Sequence, residues 1–341
     1  MAYLNVLANA RVQTKIEAVR GTAETTMTRN LELLQSGFSW TYDQSRSDEP
    51  EMLGSFSVDR DTVLLERSCT FSFEARLAFE MVPWWMSLAL KGGTVVRTGT
   101  TTASTPPGYT YTITPDDTVD NLDTFTMKAG DGAVAYQFRR CVITSTTIRA
   151  SFGPGGEATW RIAVEGRAIF VGTTTFDSPA AIARTMIRSK AGNLVFLDTA
   201  SVIGTSQLTG KARSFSLTID NAIEDKYFAE TGLDAGADFG RGAQRITGEV
   251  VLEALNDTEF AIMRANTATK LRFQNTGDVI GATPAANYLQ QLDVPQAKLN
   301  APAMGYAGNN RIYTFPFIGE KPLAAQAITS KTVTAAATVT A

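Results

Sequence analysis

The sequence predicts a mainly β protein in which two similar domains follow one another, each with a short α-helix beside its sheet. Three observations predict this class: apolar and polar residues alternate in several segments, helical patterns are few and short, and the order of the predicted elements repeats. The length of 341 residues suits two domains. The alternation is clearest from Cys69 to Phe79, where every second residue is apolar, as in a strand with one buried face.

The same period of two predicts further strands along the chain. It recurs in Trp160–Glu165, Phe215–Ile219 and Ile246–Val250. Turn signals such as Asp131-Gly132 and Gly308–Asn310 separate these segments. The strands and the turns between them therefore predict a mainly β chain.

Three segments predict short helices. Glu80–Lys91 runs up to two glycines, which favour a helix end. Asn256–Asn266 begins with a good N-cap residue and has Glu259 at the reach-back position of a capping box. Ser178–Lys190 has a proline near its start, where the first helical turn accepts one.

The order of elements repeats between the two halves, which predicts a structural duplication. Three pairs of segments align in the same order: Thr70–Leu90 with Arg245–Ala265, Asp123–Ala129 with Thr269–Asn275, and Cys141–Gly166 with Val294–Gly319. Identity between the halves is weak, so the prediction depends on order and spacing. The halves differ mainly in two loops, an insertion at 94–119 and a longer loop at 221–243.

The predicted organisation has five parts. They are an N-terminal arm at 1–50, a first domain at 51–170 with the insertion loop 94–119, a linker with a short helix at 171–210, a second domain at 211–322 with the long loop 221–243, and a C-terminal arm at 323–341. The C-terminal arm is rich in Ala, Thr and Val, and Lys331–Thr334 within it has the composition of a strand.

Composition argues against most kinds of active site. The chain has no histidine, which removes Ser-His-Asp and Cys-His catalysis and the commonest transition-metal ligand. Its two cysteines, Cys69 and Cys141, are too few for a thiolate zinc site, and we interpret them as buried free thiols. A net charge of -3 argues against a protein that binds nucleic acid by neutralising its phosphates. We therefore expect no enzyme, no cofactor and no metal.

The sequence also predicts no membrane span and no export signal. The longest apolar run, near Met81–Leu90, is about half the length that a membrane helix needs. The first residues lack a basic region followed by a sustained apolar stretch. We expect the protein to be made and initially kept in a cytoplasm.

Several segments resemble one known family. Lys15–Thr22 resembles the N-terminal signature of the tail tube (major tail) proteins of long, flexible-tailed bacteriophages. The strand and helix of Leu65–Gly92, the hairpin from Cys141, the strand Arg213–Asn221 and the closing segment Arg311–Glu320 resemble that family in order and spacing. The resemblance implies β-sandwich or partial-barrel domains with a flanking helix, six of which form a ring that stacks into a hollow tube for DNA.

The resemblance also implies the partners and the location. With two tube domains in each chain, three chains would complete a pseudo-hexameric ring; the alternative is a ring of six chains in which the second domain decorates the tube. The chain would contact itself, a tape-measure protein, tail-end proteins and passing DNA that it does not bind specifically. It would be assembled in the cytoplasm of the host bacterium and reside in the virion tail.

The polar faces of the strands that precede the two helices are the predicted channel wall, because a ring of this family would turn a wet sheet face to its lumen. The candidate residues are Ser72, Glu74, Arg76, Thr247, Glu249 and Glu253. Three carboxylates against one guanidinium predict a mildly negative wall past which DNA slides. The alternative is that these faces lie outside the tube, where their charge serves solubility.

Two loops are too long for simple connections in a compact domain, so we expect them to contact neighbouring rings or subunits. They are the insertion Thr94–Val119 and the loop Asn221–Ala243. The acidic residues of the second loop suit a basic partner surface. These candidates are Glu224, Asp225, Glu230, Asp234 and Asp238.

Two other functions remain open at this point. One is a different β-structural protein of the virion, such as a capsid decoration protein or a baseplate component. The other is a carbohydrate-binding or hydrolytic β-sandwich, which would need paired carboxylates beside aromatic residues in a groove. The sequence displays no such pairing, so a structural role is favoured.

Overall fold

The computed structural model describes residues 11–48, 62–90, 97–101, 108–115, 123–130, 134–153, 156–200, 202–226, 238–254, 257–281, 286–322 and 326–336. These residues form nineteen strands and two helices. Strands account for 61% of the structure, and their pairings are antiparallel, which confirms the predicted mainly β class. Antiparallel sheets with one wet face produce the period of two seen in the sequence.

The first half contains nine strands and one helix. They are β1 (Arg11–Ile16), β2 (Arg29–Leu31), β3 (Leu33–Asp48), β4 (Thr62–Arg76), α1 (Val82–Leu90), β5 (Arg97–Thr101), β6 (Gly108–Ile113), β7 (Phe125–Gly130), β8 (Ala135–Ser151) and β9 (Arg161–Thr174).

The second half contains ten strands and one helix. They are β10 (Asn193–Asp198), β11 (Ala212–Asp220), β12 (Ile223–Lys226), β13 (Asp238–Arg241), β14 (Arg245–Glu253), α2 (Thr258–Arg264), β15 (Thr269–Ile280), β16 (Ala286–Leu299), β17 (Ala303–Ala307), β18 (Asn310–Gly319) and β19 (Thr329–Thr334).

The strand pairings of the first half recur in the second. The chain of pairings β1–β7–β8–β9–β4–β3 has its counterpart in β10–β15–β16–β18–β14–β11. The register follows the sequence repeat: Phe71 lies opposite Gly166, and the aligned residue Ile246 lies opposite Gly319. Residues that align between the halves therefore have cross-strand partners that also align.

The two halves share hydrogen-bonded sheets. Strand β8 pairs with β11 from Ser145–Asp220 to Ser151–Ser214, and this seam makes one continuous sheet in the order β3-β4-β9-β8-β11-β14-β18-β17. Strand β19 lies between β16 of the second half and β6 of the first. The described parts of the predicted arms and linker contribute strands β1, β2, β3, β10 and β19, while the predicted domain boundaries stay a prediction.

The predicted helices have different outcomes. Helix α1 lies within the predicted Glu80–Lys91. Helix α2 lies within Asn256–Asn266, but its N-cap is Asp257, whose side chain makes no capping hydrogen bond. Asn256 lies outside the described residues, and Glu259 accepts a hydrogen bond from Lys211 Nζ at 2.8 Å.

The predicted helix Ser178–Lys190 in the linker is wrong, because this segment contains no helix and makes isolated β-bridges to Ala78 and Thr159. Its backbone bonds to the ends of neighbouring strands: Phe79 N donates to Thr185 O at 3.0 Å, and Trp160 N donates to Ile187 O at 2.9 Å. Buried backbone groups need partners, and here the strand ends supply them in place of a helical turn.

Helix α1 fills the core beside the continuous sheet. All of its residues are buried, and the Trp84 and Trp85 rings lie 4.5 Å apart between centroids in an edge-on arrangement. Trp85 also lies 5.0 Å from Phe73 of β4. The Trp84-Trp85 pair is therefore core packing, as expected of bulky aromatics without polar neighbours.

Candidate functional site

The six residues predicted to face the channel lie on one face of the continuous sheet. Cross-strand partners share a face, and Glu74 is linked to Thr247 through successive partners on the intervening strands. These are Ala163, Thr147 and Thr218. Alternation along β4 and β14 adds Ser72, Arg76, Glu249 and Glu253 to the same face. Residues far apart in sequence thus form one polar surface across both halves.

The opposite face of this sheet is core. Phe71 and Phe73 of β4 are each 3% exposed, and Leu217 of β11 is fully buried. Val250 of β14 and Phe317 of β18 are each 1% exposed. Burial of these apolar residues orients the strands and leaves their alternate, polar residues on the other face.

Arginines from β8 and β9 neutralise Glu74. Its Oε1 accepts hydrogen bonds from Arg149 Nη2 at 2.7 Å and from Arg161 Nη1 at 3.1 Å. Glu157 Oε1 accepts from Arg149 Nε at 3.2 Å and lies 3.3 Å from Arg161 Nε. These four residues form an ion-pair network on the polar face.

Glu253 is neutralised in the same way, because its Oε2 accepts from Arg213 Nη2 at 2.5 Å. The six predicted residues alone carry an excess of carboxylates, but their neighbours Arg149, Arg161 and Arg213 offset it. Sequence reasoning missed these arginines: the alternation of β8 and β9 places Arg149 and Arg161 on the polar faces of their own strands, but it does not show that these strands lie beside Glu74. The polar face is thus mixed in charge.

Short hydroxyl contacts tie neighbouring strands on this face. Thr147 and Thr218 Oγ1 atoms lie 2.9 Å apart at the seam between the halves, and Ser39 and Ser72 Oγ atoms lie 2.7 Å apart between β3 and β4. Cross-strand pairs of this kind support a sheet register.

The five acidic loop residues are only partly described. Glu224 is exposed on β12, which pairs with β13, and Asp225 and Asp238 lie on these two strands. Glu230 and Asp234 lie outside the described residues. Ile223 and Phe239 are buried with Val142 of β8, so the base of this hairpin is anchored to the first half.

The described part of the insertion Thr94–Val119 packs within the chain. Strand β6 pairs with β5 on one side and with β19 on the other. Tyr111 and Ile113 of β6 are buried, 3% and 1% exposed. Contacts of this insertion with neighbouring subunits stay a prediction.

A repeated buried turn underlies the segment Lys15–Thr22. After β1, the carboxylate of Glu17 accepts hydrogen bonds from Gly21 N and Arg140 N, both at 2.7 Å. At the end of β10, the counterpart of β1, Asp198 accepts hydrogen bonds from Gly204 N and Ser206 N, both at 2.6 Å. Gly21 and Gly204 have φ of 76° and 90°, a region that favours glycine. Sequence reasoning missed this pair of turns.

Both cysteines are buried free thiols. Burial raises the pKa of Cys69 to about 12 and raises the pKa of Cys141 well above its ordinary value. Among the residues that the structure covers, no three of Cys, Asp and Glu are placed to hold a metal ion. Neither described helix is long and apolar enough to cross a membrane.

These thiols should be unreactive in the folded protein, because the thiolate is the nucleophile. We expect a thiol reagent such as DTNB at pH 8 to label neither cysteine under native conditions and both after denaturation. A Thr267→Cys variant, at an exposed position that follows α2, should label natively and serves as the control. Rapid native labelling of the unaltered chain would contradict the buried placement.

The structure is an antiparallel β protein in which strand pairings of the first half recur in the second and the two halves share a continuous sheet. The family model for phage tail tube proteins matches residues 8–319, nearly the whole chain. The chain therefore belongs to the phage tail tube protein family, whose members are structural subunits of the virion tail. Among curated proteins, none matches the chain.

Proposed function

We propose that three copies of this chain form a ring with pseudo-sixfold symmetry and that such rings stack into a tube through which DNA leaves the virion. The observation that carries this proposal is the β8–β11 seam, where two strand sets of the same connectivity already form one sheet. A repeated head-to-tail contact of this kind closes into a ring when the rotation permits. Each chain has two such strand sets, so three chains would supply the six positions of a pseudo-sixfold ring.

The continuous polar face is the wall of the channel in this proposal. Ser72, Glu74 and Arg76 would contribute the first half of each chain's share, and Thr247, Glu249 and Glu253 the second. Paired charges suit such a wall: Glu74 beside Arg149 and Arg161 offers DNA neither a strongly positive nor a strongly negative surface. With few unpaired cations on the wall, the phosphates of the passing DNA would bind only weakly and would not slow its movement.

The acidic hairpin of β12 and β13 and its connecting loop would contact the adjacent ring. The hairpin forms its own two-stranded sheet, and Glu224 on it is exposed. A basic surface on the next ring would complement it. During assembly in the host cytoplasm, a tape-measure protein would occupy the channel and tail-end proteins would cover the terminal rings.

Electron microscopy of the purified protein tests this function. We expect long hollow tubes in negative stain, and native mass spectrometry of isolated rings should show three chains. A map of the tube should place Glu74 and Glu249 on the lumen and the β12–β13 hairpin between rings.

Each part of the proposal has its own contrary result. Six chains in a ring would overturn the trimer, and Glu74 on the outer surface would overturn the wall. A protein that forms no tube and is located on the capsid or baseplate of virions would overturn the tube function and favour the other structural roles.

A further inference from the structure

The continuous sheet ends in two strand edges that no described residue pairs with. One is the outer edge of β3, whose described pairing is with β4 alone. The other is the outer edge of residues 298–307, which pair on their inner side with β18. Open edges offer unpaired N–H and C=O groups to a further strand.

These two edges are the counterparts of the strands that meet at the internal seam. Strand β3 occupies the place of β11, because each pairs with the strand that precedes the helix of its half. Residues 298–305 occupy the place of 145–151 in β8, because each segment pairs with the last strand of the hairpin; the second segment has one extra residue between Leu299 and Ala303. The chain therefore carries the two sides of a second seam, one at each end of its sheet.

Apolar residues on the β3 edge are less covered than their counterparts in the seam. Leu217 and Ile219 of β11 are fully buried. Phe38 and Trp40 hold the corresponding positions of β3, since they lie opposite Phe73 and Phe71 of β4, and both are only half-buried. The β3 edge thus has apolar residues like those of the seam, but no described strand lies beside it to cover them.

The other edge shows the same contrast more strongly. Ala150 in the seam is 2% exposed, whereas its counterpart Met304 is 65% exposed. Tyr306 is 79% exposed, and its counterpart Phe152 packs 6.1 Å from the ring of Phe215 across the seam. Such exposed apolar side chains on a strand edge are typical of a surface that a partner covers.

We propose that β3 of one chain pairs antiparallel with residues 298–306 of a second copy, in the register of the β8–β11 seam. This inference rests on the proposed ring and specifies which edges meet in it. The predicted partners are Thr41 with Lys298, Trp40 with Leu299, and Ser39 with Asn300. Their counterparts in the internal seam are Asp220 with Ser145, Ile219 with Thr146, and Thr218 with Thr147.

A disulfide between neighbouring chains tests this register. The counterparts of Ser39 and Asn300 have hydroxyl oxygens 2.9 Å apart, so cysteines at 39 and 300 would lie within the reach of a disulfide. We expect the Ser39→Cys/Asn300→Cys double variant, mildly oxidised after assembly, to give covalent dimers and closed trimers on a non-reducing gel. The native thiols, Cys69 and Cys141, are buried and contribute no background.

A register-shifted pair is the matched control. Ser39→Cys combined with Lys298→Cys moves one thiol by two residues, about 6.6 Å along the strand, and should cross-link at least tenfold more slowly. Equal rates in the two variants, or a disulfide within a single chain, would overturn the seam. Tubes that form without cross-linking would overturn the seam and leave the tube function standing, whereas monomers that neither assemble nor cross-link would overturn both.

Discussion

Replacing Gly166 with alanine is expected to destabilise the folded chain by about 3 kcal/mol, at the upper end of the cost of overpacking a core. Gly166 of β9 lies directly opposite Phe71 of β4. A Cβ atom at this position would overlap the Phe71 ring and lie 2.5 Å from Val142 O. Because one obstacle is a backbone oxygen, a change of side-chain rotamer cannot relieve the overlap, and strands β8 and β9 must shift.

The measurement is the free energy of unfolding in urea for Gly166→Ala against Gly153→Ala. Gly153 offers open space, since the nearest atom to an added Cβ is Arg213 Nη1 at 3.9 Å. The Gly153 variant should stay within about 0.5 kcal/mol of the unaltered chain. A Gly166 variant as stable as this control would show that the strands do not approach as closely as the structure indicates.

This packing also explains why the two halves show weak identity despite their shared connectivity. In the first half Phe73 lies opposite Val164; at the aligned positions of the second half Gly248 lies opposite Phe317. The large side chain has moved to the partner strand, and the glycine leaves room for it. Cores tolerate such exchanges when the total volume is kept. Position-by-position comparison therefore sees two substitutions where the structure preserves one packed pair.

The sequence predicted the local elements well and the contacts between distant strands poorly. Alternation over Cys69–Phe79 identifies a strand with one buried face, because the side-chain period of a strand is two. The seam between β8 and β11 has no such signal, since local periodicity says which face is buried and does not say which strand is the neighbour. For the same reason the six polar candidates could be placed on strands, while their neighbour Arg149 was missed.

Ser178–Lys190 shows the converse error. The proline near its start fits the first turn of a helix. The backbone N–H groups of Phe79 and Trp160, however, need acceptors, and this segment supplies them. Tertiary hydrogen bonding outweighs a weak local preference in such cases. The repeated turns at Glu17 and Asp198 were missed because their donors come from a distant strand or a turn several residues away.

Asp198→Asn is expected to lower the free energy of unfolding by about 1.5–3 kcal/mol at pH 7, the range for hydrogen bonds to a charged group. The side chain is fully buried, and it accepts hydrogen bonds from Gly204 N, Ser206 N and Thr205 Oγ1, each at 2.6 Å. An asparagine keeps one acceptor oxygen but turns its NH2 group toward donors. The turn after β10 then loses bonds and gains a repulsive contact.

The loss of stability caused by Asp198→Asn should become smaller as the pH falls. Burial alone would raise the pKa of Asp198, but the hydrogen bonds from Thr205, Gly204 and Ser206 outweigh it and hold the pKa below its usual value. The folded chain therefore binds fewer protons at this site than the unfolded chain, whose aspartates titrate near pH 4. The stabilisation is fully present above that pH and is lost as the pH falls through and below it.

Urea unfolding at pH 7, 5 and 3.5 measures this dependence, with Asp278→Asn as the control. The Asp278 side chain is 73% exposed, so its replacement should change stability by less than about 0.5 kcal/mol at each pH. The difference in the free energy of unfolding between the unaltered chain and Asp198→Asn should be constant from pH 7 to 5. It should be smaller at pH 3.5, because protonation of Asp198 removes the negative charge that distinguishes it from asparagine. A gap that widens in acid would mean that the buried carboxyl group is protonated in the folded state and that the turn is held by other bonds.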